Sequence, residues 1–297
     1  MAESGTTPLD TTWLRRHPLR EHPDGTDKNS RGRVLAVGGS RLVPGGLKLT
    51  GEAAFRSGAG KVQFATIEAC AIALGMAVPE AGMIGLDEGE DGEIAESAAD
   101  QLARAVQSCD CLVLGPGMAK TEPARALLRA LLADPRDCLS VLLDAAAIGA
   151  AAEEAALLRP YAERLVITPH TGEMAALLGV EADAIDADRE GHVRDAAERF
   201  GAVVLLKGSS TLLATPDGEL LEYAGGGVGL ATGGSGDVLA GIVAGLLARG
   251  HSPLEATAWG VWLHGEAGRR LAERHGPIGF LARELSPLVP GLMRGVL

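Results

Sequence analysis

The stretch Leu230-Ala231-Thr232-Gly233-Gly234-Ser235-Gly236-Asp237-Val238-Leu239-Ala240-Gly241 decides the reading of this chain. Its glycines let backbone N–H groups gather around an anion, and the helix that starts there adds the positive end of its dipole to the same spot. The expected anion is a phosphate. Asp237 falls in the first turn, where dipole and N–H donors favour a carboxylate, so it is expected to be ionised at neutral pH. A carboxylate beside a phosphate suits a reaction in which a hydroxyl loses its proton while attacking a nucleotide's terminal phosphate. Taken alone, Gly-x-Gly-Asp is also an ordinary helix start, because Ser and Asp satisfy orphan donors there. The rest of the chain weighs between the two.

Downstream of Asp237, Val238, Leu239, Ile242, Val243, Leu246 and Leu247 form an apolar stripe, while Ala240, Gly241, Ala244 and Gly245 permit a second close contact. This predicts a helix buried on two sides. Gly250 stops it, and Ser252-Pro253-Leu254-Glu255 is a capping box opening a long helix to about Arg274. Upstream, β-rich runs alternate with helical periods. Arg33–Val37 ends in Gly38-Gly39-Ser40 before a helix from Gly45; Cys111–Leu114 ends in Gly115-Pro116-Gly117; Ser140–Asp144 follows. Arg164–Thr168 leads into Pro169-His170-Thr171-Gly172-Glu173, and Ala202–Leu206 into Lys207-Gly208-Ser209-Ser210-Thr211, with a hairpin around Pro216-Asp217-Gly218. Repeated β-then-α order predicts an α/β fold, a mostly parallel central sheet with helices on both faces. Ligands on such sheets bind beyond the carboxyl ends of the strands, where all these clusters fall. Residues 1–31, polar and without a sustained period, read as an N-terminal arm, and 32–297 as a single domain.

Composition narrows the class. Of 297 residues, 46% are hydrophobic and 22% charged, which excludes a disordered chain, and 3% aromatic means a core of Ala, Val, Leu and Ile. A formal net charge of −12 opposes nucleic acid and acidic membrane surfaces, so an anionic ligand must be held locally. No stretch reaches transmembrane length and the start lacks a signal-peptide pattern, so a cytoplasmic small-molecule enzyme is expected. Cys70, Cys109, Cys111 and Cys138 lack metal-site spacing and read as buried thiols. Two decoys fall away. Gly60-Lys61 has Phe55 and Val62 where a Walker A loop needs Gly and Ser or Thr, and the acidic run Asp87–Glu96 does not follow EF-hand spacing.

Lys207 follows an apolar strand and precedes Gly208, Ser209, Ser210 and Thr211, a set able to grip a nucleotide's phosphates. His170 can hydrogen-bond a substrate amide or ribose, or cap the next helix. Glu173 can hold the waters of a magnesium ion, or be an acidic first-turn residue.

Gly38-Gly39-Ser40 with Pro44-Gly45, Arg56-Ser57-Gly58-Ala59-Gly60, Leu114–Gly117, Ile167–Glu173, Val204–Gly208 and Leu230–Gly241 together resemble the ADP-dependent NAD(P)H-hydrate dehydratases. These are members of the three-layer, ribokinase-like superfamily. The resemblance covers nearly all of the chain from Lys28. It implies that ADP donates its β-phosphate to the ring hydroxyl of the S epimer of hydrated NADH or NADPH, leaving AMP, and that loss of phosphate restores the double bond. By the same resemblance, Asp237 is the base; Lys207, Gly208, Ser209, Ser210, Thr211 and Gly236 contact ADP; Ala54, Gly117, His170 and Asp237 contact the hydrated dinucleotide. Apart from the resemblance, Glu173 is the residue expected to reach Mg2+ through water. A homo-oligomer and an epimerase on a separate chain are expected as partners. Ala146, Thr171, Gly227 and Val228 depart from the family pattern, which has a second Asp, Pro and Asn-Pro-Gly at these places. A ribokinase-like vitamin-precursor kinase would share the glycine loop and aspartate; the His170 and Gly115–Gly117 segments favour the dehydratase. A non-catalytic nucleotide sensor is the third reading.

Overall fold

The computed structural model describes residues 5–119 and 121–296. Ten strands form one sheet: β1 (Thr7–Pro8), β2 (Arg33–Val37), β3 (Lys61–Ile67), β4 (Gly82–Leu86), β5 (Cys111–Leu114), β6 (Ser140–Leu143), β7 (Leu165–Ile167), β8 (Val203–Leu206), β9 (Thr211–Ala214) and β10 (Leu220–Tyr223). Their order is β1-β10-β9-β8-β7-β6-β5-β2-β3-β4. Pairing is parallel except β8–β9 and β9–β10, the expected hairpin. From β2 the chain steps outward through β3 and β4, then returns to build the other side from β5, so the topological switch lies between β2 and β5.

Both faces are covered, which is why the strands read as continuous apolar runs rather than alternating ones. Along β2, Leu35 and Val37 enter one core and Val34 and Ala36 the other. One face carries the helices Ala99–Ser108, Thr121–Leu132, Thr171–Leu178 and Arg189–Phe200. The other carries Gly45–Arg56, Ser235–Ala248 and Pro253–His275. The Ser235–Ala248 helix is buried at every residue except Gly236 and Asp237. Its small-residue stripe presses onto Gly45–Arg56: a Cβ at Gly241 would overlap the Thr50 carbonyl, and one at Gly245 the Ser57 hydroxyl. The capping box stands, with Glu255 N–H donating to Ser252 Oγ at 3.3 Å and Ser252 N–H to Glu255 Oε2 at 3.2 Å.

The structure departs from the sequence reading in several places. Within the expected arm Leu9, Trp13, Leu14 and Leu19 are buried, whereas residues 20–31 are exposed or half-buried; the first four residues of the arm lie outside the described residues. Asp10 caps a helix, Thr11–Arg16, by accepting from Thr12 N–H and Trp13 N–H, and Leu9, Trp13, Leu14 and Leu19 join the core. β4 was not expected, because two of its five residues are glycine and, as an edge strand, it is only partly buried. The helical stretch after β6 is broken into Ala146–Ala150, a 3₁₀ turn Ala151–Glu153 and Ala155–Leu158. Buried Glu154, which accepts from Arg129 Nε at 2.8 Å, sits at that break. Of the four free thiols, Cys109 and Cys111 are buried, but Cys70 is half-buried and Cys138 exposed.

Candidate active site

The glycine loop leaves donors open. Ser235 N–H bonds back to Thr232 O and Val238 N–H to Gly234 O, but the N–H groups of Gly233, Gly234, Gly236 and Asp237 donate to no described acceptor. Gly234 has φ +87°, a conformation that suits glycine and turns the chain into the helix. These free donors sit at the positive end of a helix fourteen residues long. The first turn is pinned from behind, where Ser235 Oγ and His264 Nε2 lie 2.9 Å apart in the core. Burial pulls the His264 imidazole down to about 4, so it is neutral in this contact at pH 7.

Lys207 reaches this spot from β8. Its N–H donates to Pro169 O at 2.8 Å, and its Nζ lies 3.1 Å from Asp144 Oδ1 and 3.4 Å from Glu173 Oε2. Asp144, at the end of β6, is buried and also accepts from Thr168 Oγ1 at 2.7 Å. Burial alone would lower the Lys207 pKa, but the charges of Asp144 and Glu173 outweigh it, so the net shift is upward and the ammonium is secure. A Cβ on Gly236 would lie 3.6 Å from Nζ, which puts the ammonium at the mouth of the open helix.

Asp237 faces the same mouth. Its carboxylate accepts no hydrogen bond from a described residue, and a Cβ on Gly46 would stand 3.1 Å from both Asp237 Oδ1 and the Gly117 nitrogen. Burial, then the charge of Asp144, push its carboxyl up to about 7, against the pull of Lys207. This departs from the expectation of a fully ionised group: burial leaves a carboxyl that titrates near neutral pH. The helix dipole was legible from sequence, whereas the burial and the second carboxylate were not.

Gly117 (φ +72°) lies at the switch between β2 and β5, where Gly39 N–H donates to Pro116 O at 2.7 Å and Ser40 Oγ to Gly117 O at 3.0 Å. His170 does cap its helix, its Nδ1 accepting from Gly172 N–H at 3.0 Å and Glu173 N–H at 3.2 Å, while Glu173 Oε2 accepts from His170 N–H at 2.8 Å. The cap fixes Nδ1 as acceptor and leaves Nε2 as the donor. His170 and Glu173 line a cavity of about 370 Å³ with Met118, Ala145 and Ala146. A larger cavity, about 820 Å³, lies between residues 89–96 and the Thr121–Leu132 helix and contains none of the groups above.

In the Lys207 loop, the N–H groups of Gly208, Ser209 and Ser210 donate to no described acceptor. Gly208 and Ser209 are exposed, and Thr211 begins β9. The Ser210 hydroxyl is not available as expected, because it donates to Glu222 Oε1 at 2.6 Å. Ala54 is also misplaced by sequence reasoning: it is wholly buried between its own helix and Gly245, with no surface open to a ligand. Asp144, against Lys207, and Gly46, beside Asp237, were not singled out as site residues. Asp144 was visible only as an acid at a strand end, and Gly46 only as the residue after Pro44-Gly45.

Comparison with known proteins agrees with this geometry. The family model described as NAD(P)H-hydrate dehydratase matches residues 34–290. The chain is 46% identical over 280 residues to the ADP-dependent (S)-NAD(P)H-hydrate dehydratase of Xanthomonas campestris, covering 94% of this chain and 93% of that one. It is 38% identical to a bifunctional NAD(P)H-hydrate repair enzyme of Moorella thermoacetica, covering 97% of this chain but 54% of that one, so it spans about half of that relative. Among solved structures, the ADP/ATP-dependent NAD(P)H-hydrate dehydratase of Bacillus subtilis, co-crystallised with ATP/Mg2+, superposes with a TM-score of 0.81 at 27% identity, covering 99% of each chain. A ribokinase-like superfamily protein of Enterococcus faecalis gives 0.84 at 26% identity, covering 100% of this chain and 98% of that one. With the family model matched over residues 34–290 and the Xanthomonas campestris relative 46% identical across both chains, the chain belongs to the NAD(P)H-hydrate dehydratase family.

Proposed function

We propose that this chain restores NADH and NADPH from their S hydrates, using ADP as phosphoryl donor. One observation carries the chemistry: the Lys207 ammonium, the free N–H groups of the first helical turn and the unpartnered Asp237 carboxylate converge on one point. Lys207 and the open donors of Gly208 and Ser209 hold the nucleotide's phosphates. The substrate hydroxyl sits beside Asp237, which takes its proton as the oxygen attacks the β-phosphorus and AMP leaves. The Gly233–Asp237 donors receive the charge on the transferring phosphoryl group. Phosphate then departs with the C–O bonding pair, a proton is lost from the adjacent ring carbon, and the double bond returns. A base whose pKa is about 7 is well matched to the first proton transfer. In this reading the Gly117 turn and His170, whose Nε2 lies 3.5 Å from Glu173 Oε1, meet the dinucleotide.

For magnesium, the donor set can be judged directly. Among the described residues no three ligating side chains gather, and Glu173 Oε2 already meets His170 N–H and Lys207. That pattern fits Mg2+ carried on the nucleotide's phosphates with Glu173 reaching it through water, where the ion would supply charge neutralisation. Among the described residues no helix is long and apolar enough to cross a membrane. The longer bifunctional relatives support the further reading that an epimerase works alongside this domain and delivers the S epimer.

The test is direct. Hydrated NADH is offered with ADP or ATP in turn and recovery of dihydronicotinamide absorbance is followed; recovery that needs nucleotide is expected, and none with either nucleotide overturns the assignment. Asp237→Asn should keep nucleotide affinity and lose turnover, which separates an enzyme from a nucleotide sensor.

A further inference from the structure

Arg189 opens the helix Arg189–Phe200, outside every motif discussed above, yet its guanidinium lies under the Lys207 loop. Nη2 faces three carbonyl oxygens of that loop, Leu206 at 3.4 Å, Lys207 at 3.4 Å and Ser210 at 3.0 Å. We propose that Arg189 is a positioning residue that sets the nucleotide-binding donors of Gly208 and its neighbours; this rests on the functional reading above.

The argument follows from the planar trans peptide, in which the N–H of one residue points opposite to the C=O of the residue before it. Drawing the Leu206 carbonyl toward Arg189 turns Lys207 N–H the other way, and that N–H donates to Pro169 O at 2.8 Å. Drawing the Lys207 carbonyl inward likewise turns Gly208 N–H outward, to the side where it meets no described acceptor. Without a cation beneath them these carbonyls would be free to rotate, and the donors would rotate with them. A Cβ at Gly208 would stand 2.6 Å from Nη2, so a larger residue there would displace the guanidinium. Arg189 is steered in turn by Asp186, whose Oδ1 lies 3.8 Å from Nη1 and accepts from Thr171 Oγ1 at 3.0 Å. That relay ties the Lys207 loop to the first turn after His170. Nη2 faces the carbonyls while Nη1 is turned to Asp186, a division between two nitrogens that a lysine's single ammonium cannot reproduce.

The experiment measures AMP and ADP affinity by calorimetry for the full chain and for Arg189→Ala, Arg189→Gln and Arg189→Lys, with NADPH as the probe of the dinucleotide side. Steady-state kinetics and thermal unfolding accompany it. Loss of bonds to a charged donor predicts nucleotide Kd and KM for ADP raised about tenfold or more in Arg189→Ala. NADPH affinity should be unchanged, kcat much less affected than KM, and Arg189→Lys partly restored. Nucleotide affinity within about twofold of the parent, or an equal loss for NADPH, overturns the proposal. If Arg189→Ala does not fold, the other two variants are read in the same way. If none folds, the residue is a determinant of the fold and the proposal is overturned. A parent chain that binds neither nucleotide overturns the functional reading itself, a result distinct from an unaffected variant.

Discussion

Lys207 Nζ lies 3.1 Å from Asp144 Oδ1, and the Asp144 side chain is only 4% exposed, so the cation that faces the phosphate site is anchored by a carboxylate sealed beneath it. Removing one member of a buried pair strands the other, typically at a cost of about 3–5 kcal/mol. Glu173, 3.4 Å from the ammonium, softens this. Asp144→Asn should therefore destabilise the chain by about 3 kcal/mol in urea unfolding and weaken ADP binding, because Lys207 is no longer held at the helix mouth. An unchanged midpoint together with unchanged ADP affinity would contradict this. The Lys207 pKa is raised in the fold, so its contribution is complete below the unfolded value and is lost only as pH rises through the folded one, in the alkaline range.

Asp237 sets the acid limb of activity. The base must be deprotonated to accept the substrate proton, and its carboxyl is pushed up to about 7 by burial and then by Asp144. The profile of kcat/KM, which reports the free enzyme, should fall about tenfold per pH unit below roughly 7. A profile flat down to pH 5 would mean that another group takes the proton.

The same shift costs stability. Between its ordinary value of 3.8 and the folded value of about 7, the folded chain keeps a proton that the unfolded chain has released, so stability falls as pH rises through this window. Above it the full cost is present, at most about 4 kcal/mol for a shift of this size. Asp237→Asn has the same shape without the charge. It should unfold at higher temperature than the parent at pH 8 and at nearly the same temperature near pH 4, while being inactive. A Tm difference equal at both pH values would argue against the raised pKa.

These properties divide by range along the chain. Arg33–Val37 and the Ser252–Glu255 capping box were legible because period, turn chemistry and cap are local signals. The two-sided burial of Ser235–Ala248 was legible for the same reason, since its small and large residues fall on separate stripes. The pKa of Asp237 was not, because it depends first on burial and then on Asp144, which only the sheet brings near. Ala54 and the Ser210 hydroxyl fell within motifs read correctly as segments, but a motif does not say which face of a helix is covered by Gly245 or that Glu222 waits across the hairpin. Gly82–Leu86 was missed because an edge strand with two glycines carries neither the apolar run nor the alternation that marks a strand.

Ala145 follows Asp144 with φ +49° and ψ −127°, a region comfortable only for glycine. The surroundings impose it. The Asp144 side chain is tied to Lys207 and Thr168, its carbonyl accepts from Ala147 N–H at 3.2 Å, and Gly115 packs so closely that a Cβ there would overlap that same carbonyl. The chain must therefore leave the strand and enter the Ala146–Ala150 helix through one strained residue. Such strain costs about 1–3 kcal/mol, while glycine's extra unfolded-state entropy costs about 0.5–1 kcal/mol. Ala145→Gly should then stabilise the chain by about 1 kcal/mol and raise Tm by a few degrees, read by thermal unfolding. Because the backbone path is already set by Asp144, ADP affinity should not change. A lower Tm would show that the Ala145 methyl contributes more by packing beside the His170 cavity than its backbone loses.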